Sequence, residues 1–365
     1  MEKYYTLDNI LKYNADYNII YGERSNGKTT SVLKYALEDY VKSGYKNQIA
    51  IVRRWEEDFK GKNGQQMFNN IIQLNWIREM TKNKYNSVYF YSQRWYLCNY
   101  NDKGEKIEQE KEPFALGFSI TSEEHYKSTS YPNIKNILFD EFITRGYYLP
   151  EEFVKFQNLL STIIRLKNDV KIFMCGNTIN KFCPYFAEMG LSNIRKQKKG
   201  TIDIYSYGDS DLKVAVEYSD FAGKKKKSNK YFAFNNPKLE MITNGGWEID
   251  IYPHLPVKYK PKDIIYIFYV VFDNEIIQGE IIIINNSPFI YFHRKTTPIK
   301  EDNIRLVYQT STSYKKNYRT SFNQSYTKAD SIIKELFYRE KVFYQDNEVG
   351  EIIKNYINES TKGKA

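Results

Sequence analysis

Residues Tyr17 to Leu33 read YNIIYGERSNGKTTSVL, a short apolar run, a loop bounded by glycine and the start of a helix. The spacing Gly22-x-x-x-x-Gly27-Lys28-Thr29 is that of a phosphate-binding loop. Glycines let the backbone wrap around a phosphate with its N–H groups pointing inward, and the helix that follows adds the partial positive charge of its N-terminus. Lys28 is placed to reach the β- and γ-phosphates, and the Thr29 hydroxyl to ligate a Mg²⁺ that bridges them. The stretch Gly22, Glu23, Arg24, Ser25, Asn26, Gly27, Lys28, Thr29 and Thr30 is therefore expected to line a site for ATP and Mg²⁺.

The partner of this loop should be a buried strand ending in acids, and Ile134 to Phe142, IKNILFDEF, supplies it. Asp140 is expected to hold the Mg²⁺ and Glu141 to orient and deprotonate the attacking water. A lone apolar run ending in Asp-Glu is weak evidence, but following a complete phosphate-binding loop it becomes strong. Between the two motifs, QIAIVR (Gln48 to Arg53) reads as a second buried strand of the kind parallel sheets use. Arg53 and Arg54 then sit where open α/β sheets place their ligand crevice, although an arginine there can equally tie down the loop.

Other segments group around this core. Residues 1 to 16 pair aromatic residues with one amphipathic turn, so Tyr4, Tyr5 and Leu7 are candidates to cover a base, with packing against the first strand the equal alternative. From Val88 to Phe118, VYFYS, RWYLCNY and FALGFSI read as antiparallel hairpin strands within the sheet or at its edge. His125 is isolated and expected at the surface. EEFVKFQNLLSTIIRL (Glu151 to Leu166) has helical periodicity and carries Arg165 at its end. The strand VKIFMC leads into Gly176-Asn177-Thr178, where Asn177 is a candidate γ-phosphate sensor or else a simple turn residue.

The chain has 365 residues, with 54 Lys+Arg against 44 Asp+Glu for a net charge of +10. That length favours two domains, and that charge favours a polyanionic partner. Three cysteines without metal-type spacing imply neither a disulfide framework nor a zinc site. No leader-like segment precedes Tyr17, and no apolar run approaches the ~18 residues of a membrane span, so a cytosolic protein is expected. The expected division is an ATPase domain over 1–208, a basic linker over 209–255 carrying KKKKSNK (Lys224 to Lys230) after the RKQKK run at 195–199, and a C-terminal domain over 256–365. The last offers strands Ile264 to Phe272 and Glu275 to Ile284 around Asp273-Asn274, then Phe289 to His293 and a helix from Lys328 to about Lys341, a small α+β unit. Its acids are scattered: Glu275 and Glu280 read as a solvated strand face, and Asp330, Glu335 and Glu340 do not stack on one side of a helix. Lys258, Lys260, Lys262, Arg294, Lys295, Lys315, Lys316 and Arg319 are its candidate grips on nucleic acid or a protein partner.

With these residues in view the chain resembles the DNA-packaging ATPases of small tailed phages of the phi-29 type, relatives of the large terminase subunit. GERSNGKT carries arginine at the third position of the loop, as that family does, and IAIVRR, SYPNIKNILFDEF and CPYF at 183–186 are similar to further family segments. The resemblance covers about residues 17 to 186. It implies an α/β P-loop ATPase domain of the additional-strand, conserved-glutamate type, with a mainly parallel central sheet flanked by helices. It also implies a degenerate RNase H-like C-terminal domain without nuclease activity. The expected partners are double-stranded DNA, the portal protein of a procapsid and further copies of the chain in a homo-oligomeric ring, expected as a pentamer; a structural packaging RNA is an open partner. The expected location is the portal vertex in the host cytoplasm. By position, Arg165 matches the arginine such rings insert into a neighbour's site, and Arg24 is a cis counterpart. A helicase or other nucleic-acid-dependent P-loop ATPase, and a nucleotide-switched structural vertex protein, remain the alternatives.

Overall fold

The computed structural model describes residues 4–24, 26–144, 148–178, 180–194, 196–208, 210–220, 250–300 and 304–361. The chain divides into two compact units, Met1–Glu248 and Ile249–Ala365.

The first unit is built on a sheet whose order is β3-β4-β6-β2-β7-β8-β1-β10-β9, with β5 paired to β4. Its strands are β1 Tyr17–Gly22, β2 Gln48–Arg53, β3 Ser87–Tyr91, β4 Arg94–Tyr100, β5 Lys106–Gln109, β6 Ala115–Ser119, β7 Ile134–Asp140, β8 Lys171–Asn177, β9 Ile202–Ser206 and β10 Lys213–Ser219. The adjacent strands β6, β2, β7, β8, β1 and β10 are parallel, and antiparallel strands close both edges. β1 is buried along its whole length, as a strand covered on both faces must be. Tyr17, Ile19 and Tyr21 point to one face, against α6 (Glu152–Ile164) and α7 (Pro184–Glu188). Ile20 points to the other, into a core shared with α1 (Asp8–Leu11), the phosphate-loop helix α2 (Lys28–Lys42) and the short helices α4 (Asn69–Gln73) and α5 (Trp76–Met80), which follow the short α3 (Gly61–Gln66). β8 lies between β1 and β7; this is the additional strand that separates the loop from the acids.

Two expectations need correcting. Residues 209–255 are not a linker throughout: β10 pairs in parallel with β1, between it and the edge strand β9, and its Val214, Ala215 and Val216 are buried on both faces. Residues 250–255 instead belong to the second unit, where Tyr252 donates to Glu351 (2.8 Å) and the Pro253 carbonyl accepts from the Tyr344 N–H (2.9 Å). The run Lys224 to Lys230 and Arg195 lie outside the described residues. Likewise, FALGFSI is not a third hairpin strand only: β6 is parallel to β2 and meets the antiparallel β4 at just its first residues.

The second unit is a six-stranded sheet ordered β15-β14-β11-β12-β13-β16. The strands are β11 Ile264–Phe272, β12 Glu275–Ile284, β13 Ser287–Arg294, β14 Val307–Gln309, β15 Tyr318–Arg319 and β16 Val342–Tyr344, with helices α8 (Lys328–Tyr338) and α9 (Asn347–Thr361). The turns Asp273-Asn274 and Asn285-Asn286 take positive φ at both residues, the geometry that two-residue hairpins prefer. β11, β12 and β13 form an antiparallel meander, and β14 and β15 continue in parallel from β11, which is the strand order of RNase H-like folds. Glu280 corrects the expectation of a solvated face: it is buried and accepts from Tyr259 (2.7 Å) and Gln278 (2.7 Å) beside His293 (3.2 Å). Arg294 and Arg319 are likewise not grips. Arg294 is caged by Glu275, Asp346 and Glu348, and the buried Arg319 pairs with the buried Asp330 at 3.0 Å, because a charge inside the fold needs a counter-charge.

Candidate active site

The loop between β1 and α2 is shaped as the glycine spacing requires. Gly27 caps α2 at φ +94, the left-handed region that favours glycine. Lys28 is buried, and its Nζ donates to the Glu23 carbonyl (2.6 Å), Asn26 Oδ1 (3.1 Å) and Asn177 Oδ1 (3.3 Å). Asn177 ends β8 opposite Gly22, so the side chain singled out as a sensor stands beside the loop lysine. Thr29 Oγ1 donates to Asp140 Oδ1 at 2.7 Å. A hydroxyl and a carboxylate thus converge as hard oxygen donors at the mouth of the loop, the donor type Mg²⁺ takes. The rest of the loop is tied down: Asn26 Nδ2 donates to Ser219 (3.3 Å), Glu23 pairs with Lys199 (2.5 Å), and Thr30 accepts from Asn70 (3.4 Å). Arg24 is exposed, and Ser25 lies outside the described residues.

At the end of β7 the two acids differ. Asp140 is buried, and burial pushes its carboxyl above the usual range while Arg53 and the Thr29 hydroxyl pull it down. Glu141 turns at φ +58 with its side chain 65% exposed, in the sparsely used backbone region that functional turns hold. Arg53, the last residue of β2, binds both: one nitrogen to Asp140 Oδ2 at 2.8 Å and the other to Glu141 Oε2 at 2.7 Å. Only the strand order reveals this role, since β2 lies next to β7. Arg54 turns to the opposite task, pairing through two nitrogens with the buried Glu152 (2.8 Å each) and donating to the Phe142 carbonyl (3.0 Å). Glu152 also accepts from Tyr185 (2.9 Å) and the Leu149 N–H (2.7 Å), so the segment after the acids is clamped at its base. Glu152 and Lys199 carry no sequence signal of their own, because their partners lie far along the chain.

Arg165 is not in this site. It follows α6 at φ +49 and donates to the Lys127 (3.1 Å) and Thr129 (2.9 Å) carbonyls, while the neighbouring Lys167 donates to the carbonyl of Ile134, where β7 begins. α6 runs back along the sheet for 13 residues, about 20 Å, so Arg165 lies at the opposite end of β7 from Asp140. There it lines an open cleft of about 510 Å³ with Lys127, Asn158, Ser161, Thr162 and the 98% exposed Leu166. Of the aromatic start, Tyr5 and Leu7 are packed in the core, with Tyr5 donating to Glu217 at 2.5 Å, which removes them as base-covering candidates; Tyr4 remains partly exposed.

A parallel sheet with an added strand, a glycine-bounded phosphate loop and an Asp-Glu pair opposite its threonine define a P-loop ATPase of the additional-strand, conserved-glutamate class. The chain belongs to the podovirus DNA encapsidation protein (Gp16) family, whose model matches residues 1–332. It is 22% identical over 355 residues to a DNA packaging protein of Bacillus phage PZA, covering 92% of this chain and 96% of that one. Its fold is similar to that of the Phi-28 gp11 DNA packaging motor (TM-score 0.53, 18% identity, 99% of each chain). It is also similar to a chain of the bacteriophage Phi-29 viral genome packaging motor assembly (TM-score 0.53, 17% identity, 98% of this chain and 100% of that one). Among the described residues no helix is long and apolar enough to cross a membrane.

Proposed function

We infer that the chain is the ATP-hydrolysing subunit of a motor that drives double-stranded viral DNA into a procapsid. The observation that carries the reading is the 2.7 Å contact between Thr29 and Asp140 beside the loop lysine, inside a chain of the encapsidation family. Lys28 leaves its carbonyl and amide acceptors for the β- and γ-phosphates. Thr29 and Asp140 would hold Mg²⁺, which when bound neutralises charge on the phosphate oxygens. Glu141 accepts the proton of the attacking water, Asn177 reports the γ-phosphate, and Arg53 keeps both acids in place. Arg165, far from its own site, completes the site of a neighbour, which requires a ring; a pentamer at the portal vertex is the proposed form. Arg24 is a cis contact to the phosphates.

The second unit grips DNA, the portal or a packaging RNA through its exposed lysines, Lys258, Lys260, Lys262 and Lys316. It lacks nuclease activity. β11 and β14 carry no carboxylate, whereas two-metal cleavage needs several converging carboxylates. Plasmid nicking in Mn²⁺ that persists after rigorous purification and vanishes in Asp273→Ala would overturn this.

The deciding experiment is ATP turnover by the wild type and by Glu141→Gln, with and without duplex DNA and empty procapsids. The wild type should be stimulated by DNA and procapsid together. Glu141→Gln should bind ATP with unchanged affinity and not turn it over; hydrolysis near the wild-type rate would refute the assignment. Turnover indifferent to DNA would favour a nucleotide-switched structural protein.

A further inference from the structure

A triphosphate can lie in this loop in only one direction, and that direction locates the base. The contact of Thr29 with Asp140 at 2.7 Å, and Asn177 beside Lys28 at 3.3 Å, mark the γ-phosphate end at the carboxyl ends of β7 and β8. The α-phosphate then leaves over the first turn of α2, at Thr30, and the nucleoside must lie beyond it. The side chains there are aromatic. Tyr4 lies against the loop so closely that a Cβ on Gly27 would come within 2.8 Å of its Cδ1. The Tyr4 ring meets Trp76, the first residue of α5, at 6.3 Å between centroids and 78° between planes.

The indole face of Trp76 carries a cation: Lys34 Nζ stands 5.0 Å from its centroid. Lys34 is one turn of α2 beyond Thr30, and Asn70, exposed on α4, donates to Thr30 at 3.4 Å. Tyr4 and Trp76 are only half-buried, whereas their neighbours Tyr5 and Leu7 are packed away at 4% and 5% exposure. Two partly open rings beside the α-phosphate position, one with its π face held by a displaceable cation, suit a purine. Lys34 has another partner within reach in Glu38 (3.8 Å).

We propose that Tyr4 and Trp76 hold the adenine base of the nucleotide, with Asn70 at its edge and Lys34 moving toward Glu38 to free the indole face. The proposal rests on the ATPase reading and adds the base subsite to it. The test is calorimetric binding of ATP and of inorganic tripolyphosphate, each with Mg²⁺, to the full chain and to Tyr4→Leu, Trp76→Ala and Trp76→Phe. Tyr4→Leu and Trp76→Ala should each weaken ATP about tenfold or more, the scale of one lost base stack. Tripolyphosphate, having no base, should bind all four proteins alike, and Trp76→Phe should keep most of the ATP affinity. Unchanged ATP affinity in Trp76→Ala, or equal losses for both compounds, overturns the proposal. A wild-type chain that binds neither compound overturns the underlying ATPase reading instead.

Discussion

Arg53 carries the largest single electrostatic task in the site, because it is the only cation bonded to both Asp140 and Glu141 among the described residues. Its two arms are unequal. The Glu141 carboxylate is 65% exposed, and such pairs contribute little; Asp140 is 10% exposed, and stripping a buried acid of its partner costs on the order of 3 kcal/mol. Arg53→Ala should therefore unfold at markedly lower temperature without ligand. Mg²⁺ with a non-hydrolysable ATP analogue should raise its melting temperature more than that of the wild type, since the metal restores positive charge at Asp140; equal ligand shifts in both proteins would contradict this. In the second unit, burial alone would lower the pKa of His293, but its hydrogen bonds to Glu280 and to the Arg294 carbonyl, together with the negative charge of Glu280, more than offset that and raise it above the ordinary value of 6.5. A raised folded pKa gives stability that is complete below 6.5 and is lost as pH rises through the folded value. Thermal unfolding followed between about pH 6 and 9 should show that decline, and His293→Gln should flatten it.

At the scale of elements, the turn after β7 depends on a glycine in the neighbouring strand. Gly176 in β8 lies under Ile143 and Phe142, so a Cβ there would fall 2.8 Å and 2.9 Å from their side-chain carbons. Both neighbours are buried and cannot swing away. Gly176→Ala should cost about 1–3 kcal/mol by overpacking and, by pushing on the turn that carries Glu141, reduce turnover more than ATP affinity; urea unfolding and steady-state rates check the two halves. This dependence also shows what a sequence can and cannot disclose. β1, β7 and the start of α2 were legible because their residues carry both a structural and a chemical rule: apolar runs that end in glycine or acid. The hairpin turn at Asp273-Asn274 follows from turn chemistry in the same way. β10 was missed because a seven-residue strand that carries Lys213 and Glu217 between basic segments looks like part of a charged linker until its pairing with β1 is known. Glu280, Arg294 and Arg319 were misread for a related reason: a charged residue on a strand is normally solvated, and only contacts with other elements show that Glu280 and Arg319 are buried and that Arg294 is taken up by three acids. Arg53 was visible as a residue at a strand end but not as the partner of both acids, since strand adjacency is not written in any local pattern.

For the molecule as a whole, the separation of Arg165 from the acids decides how the motor must work. If Arg165 served only to cap α6 through the Lys127 and Thr129 carbonyls, each chain would hydrolyse ATP by itself and removing the guanidinium would affect folding alone. If it completes a neighbour's site, Arg165→Ala subunits retain an intact loop but receive no arginine, whereas Lys28→Ala subunits cannot use their own loop yet still offer Arg165. Neither variant alone should turn over ATP. Mixed before assembly, they place some intact loops beside intact arginines, and activity should return in proportion to those junctions. An inserted arginine contributes about 10³ to 10⁵ in rate, so even a small share of restored junctions stands well above the background of either parent. Rings shown by mass measurement to contain both variants, yet inactive with DNA and procapsids present, would reduce Arg165 to a helix cap and leave the cleft at the far end of β7 without a role in catalysis.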